Sequence, residues 1–275
     1  MRHSKRLTCL TASPLDPAIQ VLPGTNVGDV WDRFEVFEAL HHTMQICNPM
    51  TTAQLDGLIE ALDLSSSDSV YDAACGYGEL LFRAVEAGAS GGVGIDLSPW
   101  MIRSAHATAS RRDPSGRVQW ILGEARDYQP VRQPTVAVCI GAEWVWHDFN
   151  GTCRALAGLV GTGAIVVIGA ARLHHRADPA IVRRDRGHVD TVDDMAQMLR
   201  AHGLAPFHRI DPDDAGWDAY LARTAVAAQR WADANPGLRA QRWLDEQDDW
   251  QAARERDRDV IGWSLWMARK FEPGA

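Results

Sequence analysis

From Ser69 to Ile210, short apolar runs alternate with stretches of helical spacing. "SVYDAAC", "GGVGID", "VQWILG", "TVAVCIG" and "AIVVIGAA" are too short for buried helices and are rich in Val and Ile. Between them lie "ELLFRAVEAG", "SPWMIRSAHATASRR" and "TCRALAGLV", followed by "TVDDMAQMLRAHG" and the strand-like "APFHRI". Strands that are apolar throughout need cover on both faces, and intervening helices supply it. With "VIGWSLWMARK" as a final strand, the expected fold is α/β, doubly wound, around a mostly parallel seven-stranded sheet.

The flanks are helical. Residues 1–26 read as a loose lead-in, broken by Pro14, Pro17 and Pro23. Val30, Phe34, Phe37, Leu40 and Met44 set a helix over 28–46, which Asn48-Pro49 stops because the residue before proline is pushed out of the α region. Thr51 with Gln54 is a capping-box signature for the next helix, and Ser98-Pro99 and Thr191 open others. Residues 213–258 are helical in composition, carry Trp217, Trp231, Trp243 and Trp250, and turn at Asn235-Pro236-Gly237. The expected organisation is a cap at 1–66, a sheet domain at 67–212 and 259–271, and a helical insertion or lid at 213–258.

A net charge of −8 argues against a nucleic-acid surface. The five cysteines form no CxxC pair, which points to reduced thiols in a cytoplasmic protein without a zinc site. No apolar run approaches a membrane span, and the N-terminal stretch lacks a signal-type apolar core.

The loop after the first strand carries the chemistry. "VYDAACGYGELL" runs from strand to helix through Asp72, Ala74, Gly76 and Gly78. Free backbone N–H groups and the positive helix end face a ligand there, and glycine lets it approach. Asp96 closes the neighbouring strand twenty residues after Gly76, where an acid can hold a ribose diol. A dinucleotide fingerprint would need a third glycine where Leu81 stands, and no phosphate-loop Gly-Lys-Ser/Thr motif occurs.

These residues resemble the class I S-adenosylmethionine (SAM)-dependent methyltransferases, whose first motif is acid-x-Gly-x-Gly-x-Gly. Asp72-x-Ala74-x-Gly76-x-Gly78 matches three of its four positions. "DLSPWMIRSA" is similar to the family's following strand end and helix, "GEARDY" to its third motif and "CIGAEW" to its fourth. The likeness spans residues 35–210 and the last strand, and is nearest to a bacterial subgroup with a "HHTMQICNP"-type entry helix and a tryptophan-rich tail. It implies a Rossmann-like fold and SAM lying across Asp72, Ala74, Gly76, Gly78, Asp96, Leu97, Glu124, Ala125 and Ile140. Ala74 departs from the pattern; at positive φ its methyl adds strain of about 1 kcal/mol.

Methyl transfer is an in-line displacement helped by a base when the acceptor must lose a proton. Past the fourth strand, "GAEWVWHDFN" offers Glu143 and His147 as catalytic candidates and Trp144 and Trp146 as substrate walls; the alternative is that His147-Asp148 caps a helix and the tryptophans are core. His41 and His42 lie on the entry helix, and His42 is taken as the third catalytic candidate. Arg176 and Arg183, in the basic run after the fifth strand, suit an anionic substrate group, or else pair with the acidic tail. The reading is a SAM-dependent methyltransferase for a small molecule, in biosynthesis. The rivals are the same fold running a cyclisation or other displacement on an anionic molecule, and a binding subunit that forms a homodimer or docks a protein through the tryptophan-rich insertion.

Overall fold

The computed structural model describes residues 15–174 and 189–272. The apolar runs become strands β2 (Ser69–Ala73), β3 (Gly91–Asp96), β4 (Val118–Leu122), β5 (Val136–Ile140), β6 (Ile165–Leu173), β7 (Leu204–Ile210) and β8 (Ile261–Lys270). One further strand, β1 (Gln20–Val21), joins them, and the sheet order is β1-β4-β3-β2-β5-β6-β8-β7. All pairings are parallel except those of β8, which runs antiparallel to β6 and β7.

The sheet therefore has eight strands rather than seven. Gln20 and Val21 lie in the stretch read as a loose lead-in, yet they pair with Ile121 and Leu122, and the Leu22 N–H donates to the Leu122 carbonyl at 2.9 Å. The buried side chains of Ile19 and Leu22 anchor this edge. A two-residue strand between Pro17 and Pro23 is too short to show a period of two.

Eight α-helices are described: α1 (Val27–His41), α2 (Thr52–Leu62), α3 (Glu79–Glu86), α4 (Pro99–Arg112), α5 (Phe149–Leu159), α6 (Val192–Ala201), α7 (Asp214–Ala234) and α8 (Leu238–Asp257). Thr51 and Gln54 close a capping box on α2, Ser98 caps α4 ahead of Pro99, and Thr191 caps α6 with Asp194. Helix α1 ends near His41, short of the proline stop expected at Asn48-Pro49; the Met44 N–H bonds to the His41 carbonyl at 2.7 Å, and the turn buries Met44 against Tyr220 and Leu221.

Two apolar cores lie on opposite faces of the sheet. Leu58, Leu81, Phe82, Ile102 and Leu265 build one, and Ile121, Leu156, Ile168, Met195 and Leu199 the other. Gly169 inside β6 is required because a Cβ there would stand 2.4 Å from the Trp263 ring of β8. The Trp263 indole thus passes directly over Gly169. Helices α7 and α8 sit in the chain between β7 and β8, and α7 packs on α1. No described helix is long and apolar enough to cross a membrane.

Candidate functional site

The strand order reverses between β2 and β5, which opens a crevice at their carboxyl ends, the usual ligand position in open α/β sheets. The loop leaving β2 is left-handed at three alternate residues: Ala74 at φ 60°, Gly76 at 55° and Gly78 at 76°. Asp96 at the end of β3 fastens it. Its carboxylate accepts the Gly76 N–H at 2.9 Å and the Ser98 N–H at 2.7 Å. A carboxylate has about four acceptor positions, so with the Leu97 amide also facing it one stays available to a ligand. Burial pushes the Asp96 carboxyl above its ordinary range, opposed by the amides of Ser98, Gly76 and Leu97. Asp72 is buried, and burial first, then the charge of Asp96, holds its carboxyl well above the usual carboxylate value.

A cavity of about 580 Å³ follows the crevice. Ala74, Gly76, Asp96, Leu97, Glu124 and Ala125 bound one side, and Ile140, Glu143 and Trp144 the other. Phe34 and Phe37 of α1, Trp217 and Tyr220 of α7, and Trp250 of α8 complete the wall. A smaller lobe of about 80 Å³ shares Cys47, Asn48, Ala74, Gly76 and Ile140 with it and reaches Asp72 and Tyr77. A separate hollow of about 490 Å³ lies at the opposite, amino ends of the strands, beside Asp68, Val136 and Ile165.

Gly78 lines neither lobe. It is the left-handed N-cap of α3, and a Cβ there would lie 2.3 Å from the Trp120 ring. In "EWVWHD" the chain makes a short 3-10 turn, Glu143–Trp146, and only Glu143, Trp144 and Val145 reach the cavity. Burial raises the Glu143 carboxyl above its ordinary range, although its own N–H and that of Ala171 oppose the shift. Trp146 packs into the core beneath. His147 is exposed at φ 79° and ends the turn, while Asp148 caps α5 by accepting the Gly151 N–H at 2.6 Å. His42 is exposed, bonded to the Ala39 carbonyl at 2.8 Å, and outside the cavity wall. Arg176 and Arg183 lie outside the described residues.

Its neighbour His41 is the residue that turns inward. It is 2% exposed; Nδ1 donates to the Phe37 carbonyl at 2.7 Å, so Nε2 of the neutral ring accepts the Tyr220 hydroxyl at 3.0 Å. Burial lowers the His41 pKa and so favours that neutral ring. This pair joins α1 to α7 above the cavity. Phe34, Phe37 and His41 share one helical face at i, i+3 and i+7, a spacing that separates His41 from His42. Tyr220 carried no sequence signal; it lies 179 positions away. Among the described residues, no three His, Cys, Asp or Glu side chains gather to hold a metal.

The residues present fit a nucleoside cofactor with a small charged tail: an acid with a spare acceptor position, a left-handed loop at the end of β2, and a second acid, Glu124, just past the end of β4. Comparison with known proteins agrees. The methyltransferase-domain family profile matches residues 70–163. The chain is 28% identical over 212 residues to the uncharacterized protein YjhP of Escherichia coli, covering 74% of this chain and 83% of that protein. Crystal structures of SAM-dependent methyltransferases from Thiobacillus denitrificans and Geobacter sulfurreducens, each in complex with S-adenosyl-L-homocysteine (SAH), superpose with TM-scores of 0.77 and 0.78. Both are 25% identical, and each match covers 86% of this chain and 98% of the other.

Proposed function

We propose that this chain, which belongs to the class I SAM-dependent methyltransferase superfamily, methylates a small molecule held in the cavity beside Glu143. When bound, SAM supplies a sulfonium methyl group open to displacement. On this reading Asp96 accepts from a ribose hydroxyl with the position its loop bonds leave free. Glu124 and the Ala125 amide meet the adenine. The cradle formed by Ala74 and Gly76, and Asp72 in the smaller lobe, receive the polar tail.

Glu143 orients the acceptor and takes its proton. A carboxyl whose pKa lies above the ordinary value is a better base near neutrality than an exposed one. The aromatic wall from α1, α7 and α8 gives the space beyond the cofactor an apolar lining. The observation that carries the reading is continuity: one cavity runs from Asp96 and Glu124 to Glu143.

Incubation with methyl-labelled SAM and a panel of small acceptors tests it. Label should enter a low-mass product, and Glu143→Gln should slow transfer by roughly 10²–10⁴-fold for an acceptor that loses a proton. Label appearing only in macromolecules would contradict the small-molecule reading. Ala74 supports a second reading, because its methyl stands in the cavity wall where the family pattern has glycine. That reading is a displacement or cyclisation without methyl transfer, and strict dependence of turnover on SAM rules it out.

A further inference from the structure

We infer that the acceptor is an organic cation, a protonated amine, held between the aromatic wall and the Glu143 carboxylate; once its proton is lost, its nitrogen forms the new N–C bond as the S–C bond of SAM breaks to leave SAH. The inference rests on the methyltransferase reading above and specifies its substrate. The charged side chains lining the cavity, among the described residues, are Asp96, Glu124 and Glu143, all acidic. Asp96 is bonded to loop amides, and Glu124 pairs with Arg126 at 3.3 Å. Both stand on the cofactor side. Glu143 stands across the cavity and has no ion pair among the described residues.

Around it the wall is aromatic: Phe37, Trp144, Trp217, Tyr220, Trp250 and Trp263 all line the same space. Ring faces carry negative quadrupole charge and attract a cation, most strongly where water is excluded. These rings already draw one: the Arg254 guanidinium, not part of the wall, lies 5.1 Å from the Trp217 ring centroid, its charge met by Asp214 at 2.5 Å. A neutral molecule would bring the half-buried Glu143 carboxylate no counter-charge, and an anion would face it directly. A protonated amine answers it. When the N–H bond breaks, the proton passes to a Glu143 oxygen and nitrogen keeps the electron pair it needs as nucleophile.

Three probes of one shape separate the possibilities: choline, its neutral carbon analogue 3,3-dimethylbutan-1-ol, and the anion 3,3-dimethylbutanoate. Each is titrated into the full chain saturated with SAH, read by tryptophan fluorescence. Choline should bind roughly tenfold tighter than the alcohol, with the anion weakest. Glu143→Gln should bring choline to within about twofold of the alcohol. Trp250→Ala, at a residue 62% exposed and so tolerant of truncation, should weaken choline several-fold more than the alcohol. Equal binding of choline and alcohol, or tightest binding of the anion, overturns the inference while the cofactor reading stands. Failure of SAH itself to bind overturns both.

Discussion

Ala74 carries a side chain at φ 60°, a conformation that glycine enters freely and that costs an L-residue about 1–2 kcal/mol. The structure thus meets the condition under which the sequence predicted strain. Ala74→Gly relieves it but also loosens the unfolded chain, which gives back about 0.4–1 kcal/mol. The expected net effect lies between about zero and about 1.5 kcal/mol of gain, a rise in melting midpoint of up to roughly 5 °C by calorimetry. A clearly lower midpoint would show that the loop is not strained. Gly78 makes the opposite case. Gly78→Ala meets both a left-handed backbone and the Trp120 ring, and each penalty is about 1–3 kcal/mol. The midpoint should fall by roughly 5 °C or more, with SAH affinity changing far less, because Gly78 lines neither lobe. A large loss of SAH affinity with normal stability would return Gly78 to the cofactor.

At the scale of elements, α1 and α7 are joined by the His41–Tyr220 bond. The His41 pKa is lowered in the fold, so its contribution to stability is full above the unfolded value near 6.5 and is lost as pH falls through the lower folded value. The melting midpoint should therefore drop on acidification from about pH 7.5 to about pH 5, and His41→Asn should flatten that part of the slope. An unaltered slope in the variant would assign the acid sensitivity elsewhere. Tyr220→Phe should cost about 1–3 kcal/mol at neutral pH, since it leaves the buried Nε2 without a donor. Elements also explain what was legible in the sequence. Most of the seven longer strands announce themselves as apolar runs, and β7, exposed along most of its length, by its place after a capped helix; β1 does not, because two residues hold no pattern. His41 against His42 is decided by helical register, which Phe34 and Phe37 already mark. Glu143 and Trp144 were separable from Trp146, His147 and Asp148 only once the short turn set which side chains face the cavity.

For the whole molecule, the crevice follows from chain order. A parallel sheet whose order reverses between β2 and β5 must part the connections on its two sides, and the acids at strand ends then meet there. Asp72 and Asp96 were legible as acids at strand ends, and Glu124 through its likeness to the family's third motif. The roof was not legible to the same degree. Trp217, Tyr220 and Trp250 come from helices placed after β7, and their approach to Phe34 and Phe37 depends on packing between segments some 180 residues apart. That long closure is what joins the crevice at the strand ends to the aromatic space beyond it.

On the proposed reading, Asp96 and the loop it fastens hold the cofactor. Calorimetric titration of SAH into the wild type and Asp96→Asn tests this. One site per chain is expected, with at least a tenfold loss of affinity in the variant, the worth of a hydrogen bond to a charged group. No heat from the wild type at about millimolar SAH, or equal affinity in the two proteins, would contradict it.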